Sequence, residues 1–302
     1  FQSPSMKSVV RTVERVAPSD VSVLITGESG TGKEVIADLI HSLSPRNKGP
    51  IIKINCAALP RELIESELFG SVRGAFTGAS ADREGLFRQA EGGTLLLDEL
   101  SEMPIDTQSK LLRVLQEKEV RPVGGRASYK TDCRIIAATN RKVEEAIRDG
   151  KLREDLYYRI SAISVHLPPL RERREDILPL ANSFLKRYAA QANRNITGIS
   201  QAASDKLRAF DWPGNVRQLQ NEIQRAVLMC EGNQLEASDL SIVAAAATEA
   251  EVEDLTLMEA MERNTILQVL KETGGNKLET AKRLGIGRQT LYNKIKVYGI
   301  ET

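Results

Sequence analysis

Histidine and cysteine are scarce: two histidines, His41 and His166, and three cysteines, Cys56, Cys133 and Cys230, are spread through 302 residues. None falls at metal-ligand spacing. An odd, dispersed set of thiols excludes a disulfide framework and fits a reducing compartment, with each cysteine read as a small core residue. Neither histidine is assigned any chemistry. Also missing is an apolar run long enough to span a bilayer, and Phe1-Gln2-Ser3-Pro4 lacks the features of a signal peptide. The expectation is a soluble, cytoplasmic protein with no membrane partner. Net charge is nearly absent too, 42 Lys+Arg against 41 Asp+Glu giving a formal +1. A uniformly basic nucleic-acid binder is thereby excluded, and any basic surface has to be local.

What is present is enough apolar material, 41% of residues, for one large core and at least one smaller unit. The abrupt start reads as a chain trimmed from a longer one, with a regulatory domain ahead of it.

The organising stretch is the apolar run 21–25 leading into Gly27-Glu28-Ser29-Gly30-Thr31-Gly32-Lys33-Glu34. A strand ending in a glycine-rich turn and then a helix is the pattern of a phosphate-binding loop. Glycine lets backbone N–H groups converge on an anion, because no Cβ intervenes and positive φ costs little. Lys33 adds a point charge for the outer phosphates, and the helix N-terminus helps. Position 34 is Glu where a hydroxyl normally touches Mg²⁺, so the metal must lean on other ligands. Gly92 to Glu99 supplies them: an apolar run, as expected of a strand covered on both faces, ending in Asp98 and Glu99. Acids there sit beside the nucleotide crevice, with Asp98 assigned to Mg²⁺ and Glu99 to polarising the attacking water.

Helices are expected over 5–17, 32–43, 59–69 and 104–117, and strands over 51–56, 133–140 and 161–168. This alternation, with polar residues at strand ends, argues for an α/β parallel sheet. Asn55 ends one strand and either satisfies backbone groups or positions Glu99. Thr139 and Asn140 end another, placed to sense a γ-phosphate or hold the water. Residues 120–130 read as a loop or hairpin. Phe76, in the small-residue stretch 70–79, is either a single anchoring ring or an exposed tip for a partner. Arg153 and Arg159, read on one helix, serve either as surface partners of Glu154 and Asp155 or as arginine fingers in a neighbour's site.

After Pro168-Pro169 the pattern turns helical, over 175–192, 201–210 and 213–230, with no strand between. Pro213 is read at the start of the third helix, with Arg217 in its first turns, pointing back at the nucleotide from a small lid. Residues 242–254 read as a linker. From Glu262 onward, eight Lys/Arg stand against four Asp/Glu, a local excess of +4. Segments 277–284 and 288–297 flank Gly285-Ile286-Gly287, and Ala281, Gly285 and Leu291 fit a helix-turn-helix. Arg288, Gln289, Thr290 and Asn293 are placed for base edges, with Lys294 and Lys296 nearer the phosphates.

Together these stretches resemble the AAA+ ATPases that activate sigma-54 RNA polymerase, the NtrC-like bacterial enhancer-binding proteins, over essentially the whole chain. Gly74-Ala75-Phe76-Thr77-Gly78-Ala79 matches that family's hallmark loop, and the phosphate loop, Glu34 included, is written as the family writes it. The resemblance implies an AAA+ subdomain over 1–169, a helical lid over 170–241, the linker, and a Fis-type, dimeric DNA-binding domain over 255–302. It implies that Gly74 to Ala79 contact sigma-54, chiefly through Phe76 and Thr77. Asn55 would couple the γ-phosphate to Glu99, Arg153 and Arg159 would act in trans, and Arg217 would be the lid's sensor. ATP and Mg²⁺ are the implied cofactors. The implied partners are the sigma-54 RNA polymerase holoenzyme, enhancer DNA and further copies of the chain in a ring, read as a hexamer. Leu152 and Gly287 depart from residues common in relatives, Phe and Ser, without touching the chemistry. Two rival readings stay open: a DNA-binding regulator using ATP only as a ligand, and an AAA+ machine for another substrate.

Overall fold

The computed structural model describes residues 2–75, 81–242, 265–270, 273, 276–287, 290, 291 and 294. The chain forms two compact units, 1–244 and 245–302. In the first, α1 (Pro4–Val16) leads to β1 (Val23–Thr26), α2 (Lys33–Ser42), β2 (Ile51–Asn55), α3 (Arg61–Phe69), α4 (Leu86–Gln89) and β3 (Thr94–Asp98). Then come α5 (Ile105–Glu117), β4 (Glu119–Val120), β5 (Tyr129–Lys130), β6 (Arg134–Thr139), α6 (Val143–Arg148), α7 (Glu154–Ile160) and β7 (Ile163–His166). Five strands make a parallel sheet in the order β2-β3-β6-β1-β7. β1 sits between β6 and β7 although β2 follows it in sequence, so the chain reverses direction across the sheet at β1. That is the switch point where α/β sheets bind ligands.

β3 and β6 read as continuous apolar runs because both faces are covered, and Leu95, Leu96, Leu97, Ile136 and Ala137 are all buried. α1 and α2 pack on one face through Met6, Val13, Ile36 and Ile40, and α3 and α5 on the other through Ile64, Leu68 and Leu111. α1 is fastened at its end by a buried cation in β6: Arg134 donates to the carbonyls of Ala17 (2.7 Å) and Val16 (3.2 Å). All three cysteines are buried and free, as their core reading requires. Residues 120–130 close as a hairpin, with β4 antiparallel to β5.

The helical part of this unit contains α8 (Ile177–Gln191), α9 (Gln201–Ala209) and α10 (Asn215–Met229) around Trp212, which is fully buried with its indole N–H on Leu207 O at 2.8 Å. Two details differ from the sequence reading. β8 (Gly198–Ile199) pairs in parallel with β9 (Gln234–Leu235), so strands do occur among the helices; at two residues each they carry no periodic signal. α10 starts at Asn215 rather than Pro213, because Trp212 and Asn215 both adopt φ of +53° and the Asn215 amide closes a turn onto Trp212 O at 2.7 Å.

In the second unit the helix Lys277–Arg283 is capped by Asn276, whose side chain accepts from Leu278 and Glu279 amides. Gly285 takes φ +66°, and the turn closes through Ile286 N to Ala281 O at 3.1 Å. Ala281, Leu291, Ile266 and Leu270 form a small core. The permissive turn and the small residue at the crossing are those the helix-turn-helix reading needs.

Candidate nucleotide site

The glycine positions of the loop after β1 are set by conformation and by crowding. Gly27, Gly30 and Gly32 take φ of +148°, +77° and +103°. A Cβ on Gly27 would lie 2.7 Å from Leu167 O, and one on Gly30 2.5 Å from Gly214 O. At Gly32 nothing lies within 4 Å, so the loop is closed behind and open in front, where an anion would enter. Lys33 is buried at the first position of α2. Its ammonium donates to the carbonyls of Gly27 (2.9 Å) and Glu28 (3.3 Å) and lies 3.7 Å from Glu99 Oε1.

Glu99 follows β3 in the left-handed region, φ +51°, which turns its side chain toward the neighbouring strand end. Its Oε2 accepts the Asn140 backbone N–H at 3.1 Å. Lys33 and Asn140 thus grip one carboxylate from two sides. Asp98, half-buried at the end of β3, accepts the Glu99 amide on Oδ1 at 3.0 Å. Thr139 is turned inward onto Ser101 Oγ at 3.2 Å, leaving Asn140 as the exposed group of that pair. A hard carboxylate at a strand end beside an open phosphate cradle fits Mg²⁺, which takes one or two protein carboxylates and relies on phosphate oxygens for the rest.

The helical part closes on the loop from the other side. Glu28 receives both terminal nitrogens of Arg171, at 2.9 and 2.6 Å, and Asn215 Nδ2 at 3.0 Å. The Arg171 hydrogen bonds, then that of Asn215, draw its carboxyl down to about 2. Asn215 also donates to Ser29 O at 3.1 Å and accepts the Leu170 amide at 2.7 Å. Amides of Val216 and Arg217 reach Gly30 O at 2.9 and 3.3 Å, and Arg217 Nη1 reaches Ser29 Oγ at 3.2 Å. A cleft of about 700 Å³ opens here, lined by Glu28, Ser29, Asn140, Gly214, Arg217 and Asn221 among others.

Other sequence candidates sit elsewhere. Glu34 pairs with Lys53 Nζ at 2.9 Å. Asn55 lies in register with Asp98 but is exposed rather than buried, and its carboxamide accepts the Ala57 amide at 2.9 Å. Strand register brings it to the site's edge; its hydrogen bond closes the following turn. Arg153 is not on a helix with Arg159: it is the extended residue capping α7, paired with Asp155 at 2.7 Å, the surface pairing the sequence left open. Arg159 donates to Leu115 O at 2.9 Å.

The stem of the 70–79 stretch is anchored. Ser71 pairs with Arg83, Val72 N donates to Val123 O at 3.1 Å, and Gly74 takes φ +79°. Ala75 packs against Gly124, where a Cβ would come within 2.8 Å. Phe76, Thr77, Gly78 and Ala79 lie outside the described residues, as do Arg288, Gln289, Asn293 and Lys296 and the linker over 243–254. Of the remaining DNA candidates, Thr290 is exposed and Lys294 half-buried.

Sequence reasoning missed Arg171, Arg173 and Asn215, all of which hold the loop. Their only local signal is a run of arginines after Pro169 and an Asn following Gly214.

The chain matches a family profile described as "Sigma-54 interaction domain" over residues 1–166, an "AAA+ ATPase lid domain" over 171–256, and "Bacterial regulatory protein, Fis family" over 257–298. It is 48% identical to the regulatory protein AtoC of Escherichia coli K12, over 99% of this chain and 67% of that protein. It is 44% identical to the transcriptional regulatory protein ZraR of Klebsiella oxytoca, over 97% and 67%. Among solved structures, NtrX from Brucella abortus in complex with ADP aligns with TM-score 0.76 and 36% identity, covering 99% of this chain and 69% of that one. The same protein in complex with ATP gives TM-score 0.76 at 37% identity, with the same coverage.

Proposed function

Because the chain belongs to the sigma-54 activator family of AAA+ ATPases, we propose that it turns ATP hydrolysis into remodelling of the sigma-54 RNA polymerase closed complex while held at enhancer DNA. The observation that carries this reading is the grip on Glu99 by Lys33 and the Asn140 amide, beside an open phosphate cradle.

ATP binds with its phosphates in the loop of residues 27–33, where Lys33 exchanges the Gly27 and Glu28 carbonyls for phosphate oxygens. Asp98 holds Mg²⁺, which when bound offsets phosphate charge. Glu99 polarises the attacking water, and Asn140 senses the γ-phosphate and reports it to Glu99 through its own amide. Arg217 touches the phosphates from the first turn of α10. Arg153 and Arg159 leave their partners Asp155 and Leu115 O to complete the site of the neighbouring subunit in a ring, read as a hexamer. Phosphoryl transfer needs positive charge on the transferring group, so a finger supplied in trans makes turnover depend on assembly. Asn55, one strand from Asp98, shifts with Glu99 on hydrolysis, and the movement passes through α3 to the loop carrying Phe76 and Thr77. That loop engages sigma-54. The Fis-type domain pairs with a second copy and holds enhancer DNA through Arg288, Gln289, Thr290, Asn293 and Lys294.

A pull-down with sigma-54 in the presence of ADP and a γ-phosphate transition-state mimic tests this. Sigma-54 is expected to be retained by the wild-type chain and lost with Phe76→Ala, while ATP turnover persists. Retention by the variant, or none by the wild type, overturns the assignment of the loop.

A further inference from the structure

Four successive residues of the phosphate loop are held from the segment 171–217, and Thr31 is held by the least expected partner. Its carbonyl accepts Arg173 Nη2 at 2.6 Å. Arg173 is 1% exposed, and its Nε finds no hydrogen-bond partner. A buried guanidinium with an unused donor is costly, so neighbours must hold it there. One of them is Asp176, equally buried, whose charge opposes the downward pull of burial on the Arg173 guanidinium.

Asp176 does not spend its carboxylate on Arg173. Oδ1 accepts the backbone N–H groups of Gln2 and Ser3 at 2.5 and 2.9 Å, and Oδ2 accepts the Ser3 hydroxyl at 2.6 Å. Ser3 in turn caps α1, its Oγ accepting the Met6 amide at 3.3 Å. Arg173 therefore holds a neutral loop carbonyl while it feels the charge of a carboxylate that already accepts three donors from the start of α1. A guanidinium–carboxylate bond is roughly twice as strong as one to a neutral group. The donors of Gln2 and Ser3 compete with Arg173 for Asp176.

We infer that Arg173 and Asp176 are positioning residues through which the docked start of α1 sets the phosphate loop. With Ser3 on Asp176, Arg173 holds Thr31; with Ser3 withdrawn, Arg173 turns to Asp176 and Thr31 is released. Release travels further because Thr31 Oγ1 donates to Glu28 O at 2.8 Å, the carbonyl on which Lys33 also rests. The inference depends on the loop being the nucleotide site and adds to it an input from the first helix.

The test is titration of the full chain with a fluorescent ADP analogue, beside thermal melting. Ser3→Pro removes two of the three donors on Asp176, the Ser3 amide and hydroxyl, while its φ of −61° already suits proline. It is expected to weaken binding about tenfold, the scale of one charged hydrogen bond. The double variant Ser3→Pro/Asp176→Asn should recover wild-type affinity, because the competing charge is gone, although its melting temperature stays low. Val13→Ala, which opens a cavity under α1 away from this chain of bonds, should lower the melting temperature and leave affinity unchanged. Unchanged affinity in Ser3→Pro, a double variant weaker than the single one, or equal weakening by Val13→Ala overturns the inference. Failure of the wild type to bind the analogue removes the nucleotide-site reading, and this inference with it.

Discussion

At Glu99 the backbone enters the left-handed region, and this single turn brings a carboxylate under the Asn140 amide and within 3.7 Å of Lys33. Non-glycine residues accept such a conformation only where surroundings fix it, and they cluster at functional sites. Glu99→Gln keeps the shape and the amide contact but loses basicity, so nucleotide affinity should persist while turnover drops about a hundredfold or more. Equal loss of binding and turnover in a titration paired with a phosphate-release assay would contradict that role. Gly30 makes a second prediction. An alanine there meets a backbone oxygen at 2.5 Å and keeps φ +77°, so Gly30→Ala should displace the start of α10 and weaken nucleotide binding. Melting should show a loss of about 1–3 kcal/mol.

Glu28 supplies a pH prediction at the same scale. Its carboxyl is lowered from 4.5 to about 2, first by Arg171. A depressed carboxylate contributes stability that is full above the unfolded value and disappears as pH falls through the folded one. The link between loop and helical part should therefore weaken between pH 4.5 and about 2, measured as a falling melting temperature. Glu28→Gln should flatten that fall. Because the side chain is 42% exposed, solvent screening keeps the effect modest.

Elements explain what could and could not be read in advance. The loop glycines, Lys33 and the Asp98–Glu99 pair were legible because their meaning is local: a strand, a turn that needs positive φ, and acids where an apolar run stops. The helix-turn-helix was legible from Ala281 and Gly285 for the same reason. Asn215 and Arg171 were not, since they meet Glu28 across 187 and 143 residues of sequence. Arg153 reads as helical because acidic and apolar neighbours continue the helical pattern through it; its extended backbone instead precedes α7 at the N-cap, and Asp155 takes its guanidinium. Pro213 suits a first helical position, but left-handed Trp212 and Asn215 impose a turn around it, so α10 starts later. That turn depends on Trp212 being buried in the helical core. Trp212→Ala should cost about 3–5 kcal/mol and detach α10 from Gly30. Chemical denaturation gives the first number, and loss of nucleotide affinity reports the second.

At the scale of the whole molecule, we propose that each nucleotide is hydrolysed at a seam between copies of the chain. Within one copy, Arg153 is hydrogen-bonded to Asp155 and Arg159 to Leu115 O, while Glu99 is held by Lys33 and the Asn140 amide. The most direct measurement is ATP turnover in mixtures of two variants, Lys33→Ala, which lacks the phosphate ligand, and Arg159→Ala, which lacks the finger. Each alone should be inactive, and an equal mixture should recover about a quarter of wild-type turnover, the share of seams that join an intact loop to an intact arginine. Arg159→Ala hydrolysing ATP unaided, or a mixture as inactive as its parts, would contradict the shared site.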